Sequence, residues 1–285
     1  MSGELVIGDW GSSRLRLWRV ENGSVTGRRQ GPGVAHLTQP AAQLATAVGD
    51  WKAEKVVLCG MAGARNGLRE APYVECPANL EAWRSRGIEF DLAGRRVAIA
   101  PGVASSRGRP DVMRGEETQI FGALARNPAL ASGKHCIVLP GTHSKWAVLA
   151  DGRIESFRTF MTGELFDLLE RSSLFAAGDP GEEDSEAGFA EGLSRSGAPS
   201  SSLFEARSAQ LIGGKSSGWA KGFVSGVLIG AEIAEMTPRG AVTIIGEPEL
   251  AGRYSRALAL KGCEPAILDV EDCTVAGLRL FHADA

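Results

Sequence analysis

No stretch of the 285 residues approaches eighteen consecutive apolar positions, and no basic segment followed by an apolar one stands at the start. Neither a membrane-spanning helix nor a secretory leader is expected, and the chain reads as cytosolic. Charge of one sign is also missing: 31 basic against 34 acidic residues leave a net charge of −3. Nucleic acid and anionic membrane are therefore poor partners. Cysteine is scarce and scattered, at Cys59, Cys76, Cys136, Cys263 and Cys273. No C-x-x-C pair or Cys/His cluster occurs, which excludes a disulfide framework and a zinc site and leaves small buried hydrophobes. What is present is 44% apolar residues and 37 glycines, enough for a real core in a chain of one or two domains.

One glycine turn occurs in two forms. Gly8-Asp9-Trp10-Gly11-Ser12-Ser13 follows the apolar run Leu5-Val6-Ile7, and Pro140-Gly141-Thr142-His143-Ser144-Lys145 follows Ile137-Val138-Leu139. Each leads into a second alternating run, a short turn and a third run. An Asp-x-Gly-Ser turn alone is ordinary. At the end of a buried strand, and repeated, it reads as half of a nucleotide clamp. Asp9 suits a hydrated Mg²⁺, while Gly11, Ser12 and Ser13 let phosphate oxygens approach bare N–H groups. Gly141, the Thr142 N–H and hydroxyl, and the Lys145 ammonium suit the γ-phosphate end.

The periodicity predicts three strands over 4–30, a helix from Thr38 to Trp51 with Thr38 as N-cap, and strands at 55–60 and 96–101. The polar stretch 105–110 is the best boundary, giving lobes 1–105 and 106–285. A helix over 116–126 follows, and then the pattern restarts. Strands are expected at 135–140, 145–150 and 153–160, and helices near 163–171, 183–195, 201–211 and 217–236. Strand 241–246, helix 248–261, strand 266–270 and helix 273–282 complete it. The order β-β-β-α-β-α-β thus occurs twice, with the last helix of the first copy unclear. Ser194–Ser202 reads as a surface loop. Gly222, Gly226 and Gly230 share one helix face, for close packing against another helix or a nucleotide.

Several segments carry chemistry. Met113-Arg114-Gly115-Glu116-Glu117 puts two carboxylates at a helix start, where the dipole favours them and where one can take a proton from a sugar hydroxyl. Ile244-Ile245-Gly246-Glu247 is a strand-to-helix turn of the kind that lies against adenine or ribose. Arg14, Arg65, Arg69, Arg114 and Arg158 are candidates for a substrate carboxylate, with Arg114 preferred because it adjoins the carboxylates. Two decoys fail. Gly213-Gly214-Lys215-Ser216 lacks the first glycine of a phosphate loop, since Ala209 stands there and a helix precedes it. His143-Ser144 is no hydrolase pair, because adjacent strand residues point to opposite faces.

Together the Asp9, Gly141-Thr142 and Gly246 turns resemble the phosphate-1, phosphate-2 and adenosine motifs of the sugar kinase and actin superfamily. Within it, Gly60-Met61-Ala62-Gly63 with Ala71-Pro72-Tyr73, Arg114-Gly115-Glu116-Glu117-Thr118-Gln119, Pro140 to Trp146, Phe157 to Leu165 and Gly226 to Glu232 resemble the 2-dehydro-3-deoxygalactonokinase family. The resemblance implies an α/β, two-lobed actin-like ATPase fold of duplicated RNase H-like domains around a central cleft. It implies transfer of phosphate from ATP, with Mg²⁺, to the terminal hydroxyl of 2-dehydro-3-deoxy-D-galactonate in galactonate catabolism. Lobe closure would exclude water from the transfer. Catalytic roles fall to Asp9, which also holds the metal, and to Glu116 or Glu117. Where glycerol-kinase-type relatives carry Gly-Asp, this chain has Gly-Glu-Glu, so the base lies between the two, with Glu116 preferred. Nucleotide contacts are expected from Gly11, Ser12, Ser13, Gly141, Thr142, Lys145, Gly226, Gly246 and Glu247. Acceptor contacts are expected from Arg14, Met61, Arg65, Tyr73, Arg114 and Arg158. The expected partners are ATP and a small sugar acid, with a homodimer admitted. The competing readings are a kinase of the same fold for another sugar acid, such as 2-dehydro-3-deoxygluconate, and a nucleotide-binding regulator that hydrolyses ATP slowly.

Overall fold

The structure, a computed structural model, describes residues 4–34, 37–106, 108–175, 184–238 and 240–282. Strands β1 (Leu5–Trp10), β2 (Arg14–Glu21) and β3 (Ser24–Pro32) form the expected meander. Its second turn is tight because Asn22 and Gly23 both take positive φ, 48° and 76°, as a two-residue hairpin requires. Helix α1 (Pro40–Val48) follows, and its N-cap is Gln39 rather than Thr38, with no side-chain cap. Pro40 at the first helical position fixes the start instead. Strand β4 (Lys55–Gly60) runs parallel to β1.

Between β4 and β7 (Arg95–Ile99) the chain adds elements that periodicity misses: β5 (Tyr73–Glu75), α2 (Leu80–Ser85) and β6 (Ile88–Leu92). Strands β8 (Gly102–Ser105) and β9 (Asp111–Met113) join β5 in a small three-stranded sheet. Strands of three or four residues carry too few positions to show a period. Then come α3 (Glu116–Arg126), β10 (Lys134–Leu139), β11 (Ser144–Ala150), β12 (Arg153–Phe160) and α4 (Thr162–Glu170). Helices α5 (Ser185–Ser194), α6 (Pro199–Gly213) and α7 (Ser217–Met236) precede β13 (Val242–Gly246), α8 (Pro248–Ala259), β14 (Ala266–Asp269) and α9 (Val270–His282). The expected loop at 194–202 is shorter than its composition suggests, because Pro199 already opens α6.

Two large sheets share one strand order. The first is β3-β2-β1-β4-β7-β6 and the second β12-β11-β10-β13-β14. In both, a meander is followed by strands added in parallel beside its first strand, as β4 beside β1 and β13 beside β10. This is the duplication that the sequence suggests.

By internal contacts the chain forms two compact units, residues 1–135, 147–157 and 268–285, and residues 136–146 and 158–267. They do not follow a division at 105/106, since α3 and α9 both fall in the first. Helix α9 lies on β1 and β4, and α3 lies along α9. These two supply the helical layer that the first repeat lacks in sequence. Glycines let them touch. A Cβ on Gly122 of α3 would stand 1.8 Å from the Cys273 carbonyl, and one on Gly277 of α9 2.0 Å from that of Thr118. Trp83 of α2, fully buried, packs on Phe121 and Phe281 with ring centroids 5.0 and 5.3 Å away, and its indole donates to the Pro101 carbonyl. Burying such a ring stabilises by roughly 3 kcal/mol.

In the second unit, α5 and α7 pack through a similar reciprocal glycine contact. A Cβ on Gly222 or Gly226 of α7 would strike the carbonyls of Ser185 and Phe189, and one on Gly188 or Gly192 of α5 those of Trp219 and Phe223. The glycine face of α7 is thus filled by a helix. Gly226, an expected nucleotide contact, faces Phe189 instead.

Candidate active site

Asp9 is the next-to-last residue of β1, and the hairpin register sets it opposite Arg16. One carboxylate oxygen, Oδ2, accepts from Arg16 Nη2 at 2.7 Å, in a pair that is largely buried. The other faces the Cys59 thiol at 3.7 Å. Two glycines approach the same oxygen. A Cβ on Gly60 (φ 75°) would be 3.0 Å from Oδ1, and one on Gly115 (φ 115°) 3.8 Å from it. The ends of β1 and β4 and the start of α3 therefore converge on Asp9, at the carboxyl ends of two parallel strands, where α/β folds place ligands.

The turn beyond Asp9 is held from behind. Gly11 N–H donates to the Arg14 carbonyl, while the N–H groups of Val34 and Gly33 donate to those of Gly11 and Ser13. Gly33 permits this contact, because a Cβ there would lie 2.0 Å from the Ser12 carbonyl. Ser12 and Ser13 stay exposed, and among the described residues neither amide donates a hydrogen bond.

At the start of α3 the two glutamates have different surroundings. Glu117 is fully buried, and both its oxygens accept from the Gly115 N–H, at 2.9 and 2.8 Å. The Thr118 hydroxyl donates to it at 3.1 Å. Burial first, and the neighbouring Glu116 charge second, push its pKa up to about 8. Glu116 is half-buried and accepts from the Arg114 N–H at 3.1 Å. The Cys59 thiol is pushed well up, by burial and then by the charges of Asp9 and Glu117, so it stays a neutral thiol.

Arg114 stacks on Tyr73 at 4.2 Å, and its Nη2 donates to the Ala71 carbonyl at 2.8 Å. Its Nε and Nη1 are buried and have no partner among the described residues. Gly63 makes room for Nη1, and Gly102 for the Tyr73 ring. Two unpaired donors on a seated guanidinium are costly unless an anion joins them.

The second turn lies in the other unit. A Cβ on Gly141 would meet nothing within 4 Å, and among the described residues the Gly141 and Thr142 amides donate no hydrogen bond. The first turn of α4 supports it: Glu164 N–H donates to the Thr142 carbonyl at 2.9 Å, and Gly163 gives the Gly141 carbonyl room. His143 pairs with the Glu164 carboxylate. The Lys145 ammonium departs from expectation. It is buried and donates to the His143 carbonyl at 3.0 Å, bracing the turn from within. Gly246 ends β13 beside Pro140, and Glu247 caps α8 in the open.

The 2-keto-3-deoxy-galactonokinase family model matches residues 9–281. The Escherichia coli 2-dehydro-3-deoxygalactonokinase is 37% identical over 299 residues, covering all of both chains. The chain belongs to this family. A crystal structure of a Sinorhizobium meliloti protein that carries the 2-dehydro-3-deoxygalactonokinase name superposes with TM-score 0.85 at 36% identity, over 97% of each chain. The activator of 2-hydroxyisocaproyl-CoA dehydratase from Clostridium difficile, solved with bound ADPNP, matches at TM-score 0.51 and 14% identity over 98% of this chain and 94% of its own, and so shares the fold. A member of the 2-keto-3-deoxy-galactonokinase family is an enzyme, an ATP-dependent phosphotransferase with an alcohol group as acceptor.

In this family member the first unit brings together Asp9, Glu116, Glu117, Arg114 and Tyr73. Met61 is half-buried against the core beside them. Arg14 is exposed at the start of β2, and Arg65 is almost wholly exposed, 3.9 Å from Glu70. Arg69 lies over the Phe90 ring. Arg158, in the second unit, pairs with Glu235 at 3.5 Å. Sequence reasoning missed Arg16 and Glu232. The first had a signal, since counting across the hairpin pairs residues 9 and 16. The second had no such signal, since α7 also carries Lys221 and Glu235 and nothing in its spacing singles out Glu232.

Proposed function

We propose that this chain phosphorylates 2-dehydro-3-deoxy-D-galactonate on its terminal hydroxyl, with Glu116 as the base. The observation that carries the reading is the half-buried Glu116 at the start of α3, where Gly115 lies against Asp9 and Arg114 offers two unpaired donors. Glu117 is sealed from solvent and holds its proton below pH 8, so it shapes the helix start instead of receiving the substrate proton. Arg114, stacked on Tyr73, is suited to the substrate carboxylate, and Met61 to the acceptor's apolar edge.

The residues fit a nucleotide with Mg²⁺. Gly141 opens on free space, the turn amides are unused, and Asp9 is a single carboxylate. Among the described residues no group of three His, Cys, Asp or Glu could hold a metal unaided. That suits an ion which keeps waters and phosphate oxygens as its other ligands. When bound, Mg²⁺ neutralises charge on the transferring phosphoryl group. Asp9 would hold it, with Arg16 fixing the carboxylate's rotamer. Gly11, Ser12 and Ser13 present N–H groups to phosphate oxygens, and Gly141 and Thr142 hold the γ-end. Lys145 keeps the second turn in shape, and Gly246 and Glu247 flank the nucleoside. Glu116 orients the acceptor hydroxyl and takes its proton as the hydroxyl oxygen bonds to the γ-phosphorus and the bond from that phosphorus to the β–γ bridging oxygen breaks, releasing ADP.

Glu116→Gln should lower turnover by roughly a hundredfold or more, the scale of general-base loss, while nucleotide affinity stays within a few-fold. A larger loss of turnover in Glu117→Gln would move the base to that residue.

A further inference from the structure

Glu232 is an ionisable side chain in the C-terminal part of α7, and unlike Lys221 and Glu235 of the same helix it is buried, at 1% exposed. Its Oε2 accepts from Trp146 Nε1 at 2.7 Å and its Oε1 from the Tyr254 hydroxyl at 2.8 Å. The Thr162 hydroxyl also donates to Oε1. The Ser144 hydroxyl is buried beside it, without a hydrogen bond of good geometry. A buried carboxylate without partners is strongly destabilising, so these donors are what allow it there.

The donors come from β11, α4 and α8, and two of the three flank the Pro140–Lys145 turn. Trp146 follows the turn by one residue. Thr162 immediately precedes Gly163 and Glu164, which touch the Gly141 and Thr142 backbone from the other side. Glu232 thus ties the strand leaving the turn to the helix end that supports it.

We infer that Glu232 is a positioning residue for phosphoryl transfer, setting the Gly141-Thr142 backbone where it receives the nucleotide's terminal phosphate. This rests on the reading of that turn as a phosphate site. It assigns Glu232 no contact with substrate. The competing possibility is a network that only stabilises the second unit.

The test is a steady-state comparison of Glu232→Gln and Thr162→Val with wild type, varying ATP and the sugar acid separately. Phe223→Leu serves as a control for lost stability, being on the same helix but outside the network. Both network variants should raise KM for ATP about tenfold, the scale of one lost hydrogen bond to a charged group, with KM for the sugar acid within twofold. Phe223→Leu should lower the melting temperature without that split. If the network variants lower the melting temperature and leave KM for ATP unchanged, the inference is overturned. Should Glu232→Gln not fold, Thr162→Val alone decides. Gly141→Ala separates the two claims: if it too leaves KM for ATP unchanged, the phosphate reading of the turn fails instead.

Discussion

Asp9 and Glu117 are both carboxylates beside Cys59, and their surroundings differ. Asp9 is paired to Arg16 and keeps one oxygen toward the Gly60 and Gly115 backbone. Asp9→Asn should lower phosphoryl transfer on the order of a hundred- to a thousandfold, as loss of a preorganised charge does, with the circular dichroism spectrum unchanged. Near-normal turnover would remove Asp9 from the chemistry. Glu117 has a folded pKa raised to about 8. Its stabilising contribution is therefore complete below the ordinary carboxylate range and is lost as pH rises toward 8. The wild-type melting temperature should decline between pH 5 and pH 8.5, and Glu117→Gln should flatten that decline; an unchanged slope would mean that Glu117 is not the group responsible. Asp9 and the glutamate pair were legible as residue types in strand-end and helix-start positions. That Glu117 is sealed was not, because its burial comes from tertiary packing around the start of α3, which residue spacing does not show.

Elements packed through glycine explain why so many glycines occupy helices where their propensity is poor. Backbone meets backbone at Gly122 and Gly277, and again along α5 and α7. Gly122→Ala should destabilise by about 3 kcal/mol or more, because the obstacle is a carbonyl that cannot turn aside. Chemical denaturation measures this, and a loss below about 1 kcal/mol would show that α3 and α9 separate easily. Gly141→Ala is its counterpart. With open space at the Cβ position it should leave stability within about 0.5 kcal/mol while weakening ATP use. The long strands and helices were legible from alternation and helical spacing, and α3 was found with its bounds. The sheet of β5, β8 and β9 was not, since its strands of three or four residues are too short to show a period. The glycine face of α7 could have met a helix or a ligand, and only tertiary structure decides between them.

At the scale of the whole molecule, two sheets of one strand order carry one glycine turn each, and the family match spans residues 9–281. No helix among the described residues is long and apolar enough to cross a membrane. Nucleotide clamping was readable from the repeated turn and phosphoryl transfer from the Glu116-Glu117 segment, whereas the acceptor rested on resemblance. On the proposed reading the phosphate turns serve any kinase of this architecture, and the choice of sugar acid falls to Arg114, Tyr73 and their neighbours. The most direct measurement is ATP consumption by the purified chain against a panel of 2-keto-3-deoxy sugar acids, with the product's phosphate located by NMR. The account predicts consumption that depends on an acceptor, is fastest with 2-dehydro-3-deoxy-D-galactonate and places phosphate on the terminal hydroxyl. ATP hydrolysis independent of any acceptor, or clear preference for a different sugar acid, would contradict it.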